Sequence, residues 1–294
     1  MTYLNLYTST TATFGGQECE FAVADYVVIG VPFDITSTYR SGSRFAPLAI
    51  REASLNIETY SLRAGIDVQE LKVRDAGDLH ITGNVDETLR RLKAVSDEIL
   101  SAGKKPALVG GEHTLTLGAT EAVHKDYGLL CFDAHLDLRN EYMNQTICHA
   151  TVIRRIHEVA KPSRIIEVGT RAISIEEMAY AKNQDIAYLT SHQITKTGVE
   201  ETARKINELL ADYDRVYLTV DMDVLDPAFA PAVQNPEPDG LSTHQLLDLL
   251  SLICSRRIVA FDVVEVTPHY DTGATSILAA RIIFEILAHI HKGT

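Results

Sequence analysis

Apolar residues along this chain form short continuous runs that alternate with longer segments of helical periodicity. The short runs are rich in β-branched residues, and several are apolar almost throughout, as expected of strands buried on both faces of a parallel sheet. We predict eight strands, at residues 25–31, 70–74, 106–109, 129–132, 164–168, 186–189, 215–220 and 258–264. Strands that alternate with helices predict an α/β fold with a parallel sheet.

Between these strands, apolar residues recur at the spacing of one helix face. The clearest helical segments are residues 86–100, 200–210, 243–253 and 276–289. We find no internal repeat and no Pro/Gly/Ser-rich linker, and the polar residues of interest are spread over more than half the chain. The sequence therefore predicts one domain over residues 1–294, with residues 1–22 as a short N-terminal extension.

The charge balance limits the choice of partner. The formal net charge is −13, and the 27 basic residues are scattered along the chain. This argues against nucleic acid and anionic membranes, and it favours a small cationic ligand. No apolar run approaches the ~18 residues of a membrane span, and the first residues lack a signal-peptide pattern. We therefore expect a cytoplasmic protein, and its four cysteines without CxxC spacing indicate neither a zinc knuckle nor a disulfide scaffold.

Six acidic and imidazole side chains stand at the ends of three predicted strands. They are His113, Asp133, His135, Asp137, Asp221 and Asp223. A single such residue is more often a turn or cap residue than a metal ligand. The i, i+2 spacing of residues 133, 135 and 137, and of residues 221 and 223, however, directs these side chains to one side of an extended chain. Ligand sites of parallel sheets lie at the carboxyl ends of strands. Four carboxylates buried together need compensating positive charge, which two divalent ions would supply.

At these motifs the sequence resembles the ureohydrolases, the arginase and agmatinase family, over nearly the whole chain. The signature segments are GEHT at 111–114, DAHLD at 133–137 and TVDMDVLDP at 219–227. The resemblance implies that the six residues above bind two Mn²⁺ ions per chain. It also implies a three-layer α/β sandwich around an eight-stranded parallel sheet, assembled as a homotrimer or homohexamer.

Other segments resemble the agmatinase branch of that family. They are GVPFD at 30–34, YRSGSRFAP at 39–47, NPEPDG at 235–240, DVVEVTP at 262–268 and YDTG at 270–273. The chain departs from the family pattern at Glu112, where Asp is common, and at Ala150, where many relatives have Gly. The implied reaction is hydrolysis of agmatine to putrescine and urea.

The expected chemistry uses two divalent ions about 3.5–4 Å apart, which share one water and lower its pKa so that the resulting hydroxide attacks the guanidinium carbon. The resemblance gives catalytic roles to Asp137, His149 and Glu265. Asp137 would accept a hydrogen bond from the hydroxide and pass a proton to the leaving amine, and His149 would relay protons to solvent. Glu265 and His149 would contact the substrate. Taken alone, His149 is also typical of a helix start and Glu265 of a loop cap.

Three alternatives remain open from the sequence. Arg139 follows the DAHLD segment and would pair with a substrate carboxylate, which favours arginine or another guanidino acid over agmatine if it points into the pocket. A single-zinc deacylase of related architecture needs only two carboxylates and one His. A non-catalytic scaffold has no need of two adjacent metal ions.

Overall fold

A nine-stranded sheet forms the centre of the protein. The structure, a computed structural model, describes residues 2–9, 12–124 and 126–293. Its strands are β1 (Thr8–Ser9), β2 (Tyr26–Gly30), β3 (Tyr60–Ser61), β4 (Ile66–Asp67), β5 (Val73–Leu79), β6 (Lys105–Val109), β7 (Gly128–Phe132), β8 (Arg164–Thr170), β9 (Ala187–Thr190), β10 (Val216–Asp221) and β11 (Ile258–Val264). The order in the main sheet is β1-β5-β2-β6-β11-β10-β7-β8-β9, and β3 and β4 form a separate hairpin.

The eight predicted strands are the eight parallel strands of this sheet. The pattern did not show β1, a two-residue strand that pairs antiparallel with β5 at the edge. The predicted strand at 70–74 was misplaced, because β5 runs from Val73 to Leu79 and carries Asp75, which is buried. Arg51, also buried, donates to both carboxylate oxygens of Asp75 at 2.8 and 2.9 Å. This ion pair compensates the charge of Asp75, so that a strand with polar residues can be buried in the core.

Helices cover both faces of the sheet. They are α1 (Tyr3–Tyr7), α2 (Ala46–Ser54), α3 (Val85–Ser101), α4 (Leu115–Thr120), α5 (Val152–Arg155), α6 (Ile175–Asn183), α7 (Ser191–Thr197), α8 (Val199–Leu209), α9 (Thr243–Ile253) and α10 (Ala274–Lys292). Side chains of α2, α7, α8, α9 and α10 pack on one face, and those of α1, α3, α4, α5 and α6 on the other. Alternate residues of each strand serve the two cores. The three-layer α/β sandwich is confirmed.

The last helix, α10, has the length and apolar composition of a membrane span. An 18-residue window of this helix reaches a mean hydropathy of 1.3, although Arg281 and Glu285 interrupt its apolar residues, so the expectation that no unbroken apolar run has this length is not contradicted. Of that window, 72% is buried inside the protein, where α10 packs on α2 and α9. The helix is apolar on most sides because it lies in the core.

The N-terminal segment packs against the same core as the rest of the chain. His80 donates its backbone N–H to Tyr7 O at 2.6 Å, and Phe14 meets the ring of Phe284 on α10 edge-on at 5.1 Å between centroids. The described part of residues 1–22 is thus bound to the domain. The division into a single domain with this extension stays a prediction.

Candidate metal and substrate site

Four neighbouring strands bring the predicted site residues together. In the sheet, β6, β11, β10 and β7 lie side by side and parallel, although β11 is the last strand of the chain. Their carboxyl ends therefore meet at one edge of the sheet. The residues at these ends or shortly after them are His113, Asp133, His135, Asp137, Asp221, Asp223 and Glu265. All six predicted ligands and Glu265 lie at this edge.

The two imidazoles each face several carboxylates. The Nδ1 atom of His113 lies 3.1 Å from Asp133 Oδ2, 3.3 Å from Asp137 Oδ2 and 3.4 Å from Asp221 Oδ2. The Nδ1 atom of His135 lies 3.0 Å from Asp223 Oδ2 and 3.5 Å from Asp133 Oδ1. The groups thus form two clusters that share Asp133, as a site for two cations requires.

Hydrogen bonds to the backbone fix these carboxylates. Asp133 Oδ1 accepts from the N–H of His135 at 2.6 Å, and Asp221 Oδ1 accepts from the N–H of Asp223 at 2.9 Å. The other oxygen of Asp223, Oδ1, accepts from Ala134 N–H at 3.1 Å, which joins the loops after β7 and β10. Each carboxylate therefore keeps an oxygen for the centre of the site.

A hydrogen bond on its far side orients His113. Its Nε2 lies 3.0 Å from Thr219 Oγ1, and with the ring N–H donating there, Nδ1 presents its lone pair to the carboxylates. Thr219 in turn lies beside Asp262, a buried carboxylate that also accepts from Thr116 and Tyr217. Such supporting bonds to the distal ring nitrogen are the usual companions of histidine metal ligands.

The donor set fits divalent cations. Among the described residues, His113 Nδ1 and Asp133 Oδ2 are buried, face each other, and have no hydrogen-bond partner. Buried polar atoms without partners are rare, and a cation between them would satisfy both. Burial and the charge of Asp133 raise the pKa of Asp137 to about 7, and burial and the charge of Asp223 raise the pKa of Asp221 well above its usual range. Buried carboxylates that repel one another in this way are stabilised by a bound cation.

A buried thiol lies in the same neighbourhood. Cys131 Sγ, His113 and Asp133 present ligand-type atoms within 4.8 Å of one another, as do Asp133, His135 and Asp223. Cys131 belongs to β7 and is fully buried. Burial, with the nearby charge of Glu167, raises the pKa of the Cys131 thiol well above its usual range, so its neutral form is favoured. A neutral thiol is a poor ligand, and the oxygen and nitrogen donors are the better candidates.

Two of the site residues have left-handed backbone. Asp137 has φ 49° and Glu265 has φ 70°, a region that residues with a side chain enter at a cost of roughly 1–2 kcal/mol each. Glu265 is held there because its N–H donates to Gly111 O at 2.9 Å. Gly111 itself has φ 85°, and a Cβ there would lie 2.4 Å from Val31 O, so this position requires glycine.

Glu265 and His149 reach the same cavity of about 340 Å³. Glu265 Oε1 accepts from His113 N–H at 2.6 Å, whereas Oε2 is buried without a partner among the described residues. His149 donates from Nδ1 to Thr36 O at 3.1 Å and accepts at Nε2 from Thr38 Oγ1 at 3.1 Å. Burial lowers the pKa of His149 to about 4, so the ring is neutral at neutral pH.

Glu112, one of the departures from the family pattern, supports His149 indirectly. Its buried carboxylate accepts from Thr36 N–H at 2.9 Å, from the Thr36 hydroxyl and from Ser37 Oγ at 3.3 Å. It therefore holds the loop that provides both hydrogen-bond partners of His149. The sequence offered no signal for this contact, because the two segments are 76 residues apart.

The sequence reading also missed Arg171 and Glu237, and it left the place of Arg139 open. Arg139 lines the cavity, with Nη2 3.8 Å from Glu177 Oε2 and its guanidinium 5.4 Å from the centre of the Tyr142 ring. Glu237 lines the cavity as well, and Arg171 binds the backbone of its loop. The one signal for Arg171 was its place three residues after the predicted strand at 164–168, at the edge that carries the site.

Fold and site together define an α/β sandwich protein with an acidic, histidine-containing centre at the carboxyl edge of its sheet. The profile of the Arginase family matches residues 24–289, and the chain belongs to this family. It is 35% identical to N(1)-aminopropylagmatine ureohydrolase of Thermococcus kodakarensis over 98% of both chains. It is 34% identical to agmatinase of Pyrococcus horikoshii, over 90% of this chain and 91% of that one.

A solved structure agrees with these relatives. The agmatine ureohydrolase of Thermoplasma volcanium superimposes with a TM-score of 0.89 at 36% identity, covering 98% of this chain and 96% of that one. The resemblance to ureohydrolases drawn from the three sequence motifs is thus confirmed, and the chain is an enzyme of that hydrolase class. The roles of individual residues stay predictions.

Proposed function

We propose that this enzyme hydrolyses agmatine to putrescine and urea with two Mn²⁺ ions per chain. The observation that carries the proposal is the group of buried, unpartnered atoms at the sheet edge: His113 Nδ1, Asp133 Oδ2 and Glu265 Oε2. The first two belong to a cation site. The third suits a guanidinium, whose N–H groups are charged donors.

The ligand set supports two ions rather than one. The two clusters share Asp133, with His113 in one and His135 in the other. A single zinc ion would use three of the six side chains and leave buried carboxylates uncompensated. Carboxylate and imidazole donors suit Mn²⁺, although ligand type alone also admits neighbouring divalent ions. The two other hypotheses, a single-zinc deacylase and a non-catalytic scaffold, fit this arrangement less well.

The side chains of this site have separable tasks in the reaction. Two divalent ions, when bound, offset the carboxylate charge and lower the pKa of the attacking water. Asp137 accepts a proton from that water and gives it to the leaving amine. Glu265 binds and orients the guanidinium through Oε2. His149 keeps its proton on Nδ1, where Thr36 O accepts it, and takes up or releases a second proton at Nε2.

The charges along the cavity support an amine substrate. Among the described residues, four of the predicted ligands and Glu265 line it together with two further carboxylates, those of Glu177 and Glu237, and with the guanidinium of Arg139. Arg139 lies beside Glu177, so its charge is largely balanced within the protein. A dication such as agmatine fits this surplus of negative charge.

A guanidino acid is the second candidate, and Arg139 is the observation in its favour. Arg139 lines the cavity and is partly exposed, so a substrate carboxylate has access to it. If Arg139 binds such a carboxylate, arginine or guanidinobutyrate becomes the better substrate. The Arg139→Ala variant then loses activity on guanidino acids selectively and keeps its activity on agmatine.

A urea-release assay with agmatine, arginine, guanidinobutyrate and formiminoglutamate, with added Mn²⁺, tests the proposal. We expect the largest kcat/KM for agmatine, in the parent and in Arg139→Ala. Arginine preferred by the parent, with the preference abolished in Arg139→Ala, would establish the guanidino-acid alternative. Metal analysis of the same samples should find two Mn²⁺ per chain. One zinc ion per chain, or no urea from any substrate, would refute the proposed chemistry.

Assembly and location are part of the same proposal. We propose a homotrimer or homohexamer in the cytoplasm, as the family resemblance implies. Several large apolar side chains are exposed on the described surface and are available for subunit contacts, among them Tyr39, Phe45 and Leu62. Light scattering of the purified protein measures the mass, and a monomer at micromolar concentration would contradict the assembly.

A further inference from the structure

One carboxylate in the cavity is not used by the metal site or by the protein's own contacts. Glu237 lines the same cavity as Asp137, His149 and Glu265 and is half-buried. Among the described residues, its side chain has no hydrogen bond and no ion pair at 4 Å or less, and the Arg171 guanidinium interacts with it only through its charge. The other additional carboxylate, Glu177, is engaged by the backbone N–H of Leu138 and by the N–H and hydroxyl of Ser174.

The backbone around Glu237 is held rigidly. Pro236 and Pro238 flank it, and proline fixes φ near −65°, which restricts the loop on both sides. Arg171 donates to Glu237 O at 2.7 Å and to Pro238 O at 2.9 Å. A carboxylate on such a loop is positioned before a ligand arrives, and this lowers the entropic cost of binding.

Arg171 also ties this loop to the metal site. The same guanidinium donates to Asp223 O at 2.8 Å, to Val224 O at 3.1 Å and to Leu225 O at 3.2 Å. Gly240 permits the close approach, since a Cβ there would lie 2.4 Å from Asp226 N and 2.6 Å from Arg171 Nη2. The loop of Glu237 and the loop of the ligand Asp223 are therefore fixed relative to each other. Because Arg171 gives its N–H groups to carbonyl oxygens, it leaves the Glu237 carboxylate open to a ligand.

We propose that Glu237 binds the cationic amine at the far end of the substrate while Glu265 binds the guanidinium, and that Arg171 sets the distance between the two sites. This inference rests on the proposed function and narrows it to guanidines with a second positive charge. A substrate with an apolar or anionic end leaves Glu237 without a partner. The enzyme then discriminates by the charge of the chain end as well as by the guanidinium.

The Glu237→Gln variant tests this with agmatine and n-butylguanidine, which has the same carbon chain without the amine. We expect kcat/KM for agmatine to fall by about 10- to 100-fold, mainly through KM, the range of a charge-assisted hydrogen bond. The change for n-butylguanidine should stay below about threefold. Asp239→Asn is the matched control, because it removes the same charge two residues away on an exposed part of the loop. This variant should leave kcat/KM unchanged for both substrates.

Glu237→Asp adds a test of distance. It withdraws the carboxylate by one methylene. The ratio of kcat/KM for the agmatine homologue with a five-carbon chain to kcat/KM for agmatine should therefore be higher in this variant than in the parent enzyme. Equal losses on agmatine and n-butylguanidine in Glu237→Gln, or no loss on agmatine, would overturn the subsite. Calorimetric binding of both compounds to the Mn²⁺-loaded protein gives the same comparison without turnover. Failure of the parent to release urea from any guanidine refutes the proposed function, whereas unequal binding in Glu237→Gln still decides the subsite.

Discussion

Replacement of Asp137 by Asn should have opposite effects on stability with and without metal. Asp137 is buried beside Asp133, and burial with that neighbouring charge raises its pKa from an ordinary 3.8 to about 7. A difference of about three pKa units corresponds to a free energy on the order of 4 kcal/mol, which the metal-free folded state loses when Asp137 ionises. Asn is neutral and of the same shape, so it avoids this cost.

The pH dependence of this effect follows from the sign of the shift. Because the folded pKa is above the unfolded one, the contribution to stability is fully present below pH 4 and is lost as the pH rises to about 7. At pH 8 the metal-free Asp137→Asn protein should therefore be about 2–4 kcal/mol more stable than the parent. The lower end of this range allows for the attraction between Asp137 and His113 that the variant loses, since Asp137 Oδ2 lies 3.3 Å from His113 Nδ1. At pH 4 the two proteins should be alike.

Urea unfolding of chelator-treated protein at pH 4, 6 and 8 measures these differences. Far-UV circular dichroism is the appropriate signal because the chain has no tryptophan. Asp239→Asn is the control for the backbone, since Asp239 is also left-handed, with φ 64°, but exposed. With Mn²⁺ added, the order should reverse, because Asp137→Asn has lost a ligand and activity with it. A metal-free variant no more stable than the parent at pH 8 would refute the reasoning.

Four further substitutions test the remaining assignments. Asp133→Ala or Asp223→Ala should lose bound metal and urea release together, and full turnover with two ions retained would show that the ligand assignment is wrong. His149→Ala should keep its metal but turn over more slowly, with partial recovery in imidazole-type buffers, and unchanged kinetics would remove His149 from the mechanism. Arg171→Lys keeps the charge but offers three hydrogen-bond donors in place of five. Chemical denaturation should therefore show a free energy of unfolding lower by about 2–3 kcal/mol, and kinetics should show a higher KM for agmatine. Wild-type values for both would contradict the positioning role of Arg171.

The parts of this molecule that follow from local pattern were predictable from the sequence. Seven of the eight parallel strands lie close to their predicted positions because their residues are apolar, and the six candidate ligands follow directly after such runs. Placement at the carboxyl ends of parallel strands then brings them to one edge. The strand around Asp75 was misplaced because its polarity is offset by Arg51, a residue 24 positions away that no periodicity indicates.

The supporting contacts could not be predicted, since they join segments that are distant in the sequence. Glu112 reaches Thr36 across 76 residues, and Arg171 reaches the loops at 223–225 and 237–238 across 52 to 67 residues. Nothing in the local pattern distinguishes such residues from surface charges. The left-handed backbone of Glu265 was equally hidden, because glutamate has no preference for that conformation and tertiary contacts impose it.

The place of β11 in the sheet affects how a nascent chain completes this enzyme. Residues 258–264 leave the ribosome after every other strand of the described sheet, yet they lie between β6 and β10, at the middle of the sheet. Until they arrive, the strands leading to His113 and to Asp221 have no common neighbour, and each has an open edge that invites pairing with other chains. Insertion of β11 closes both edges and delivers Glu265 in one event. Only then does the Glu265 carboxylate join those that follow β7 and β10, two strands that pair directly with each other before β11 is made.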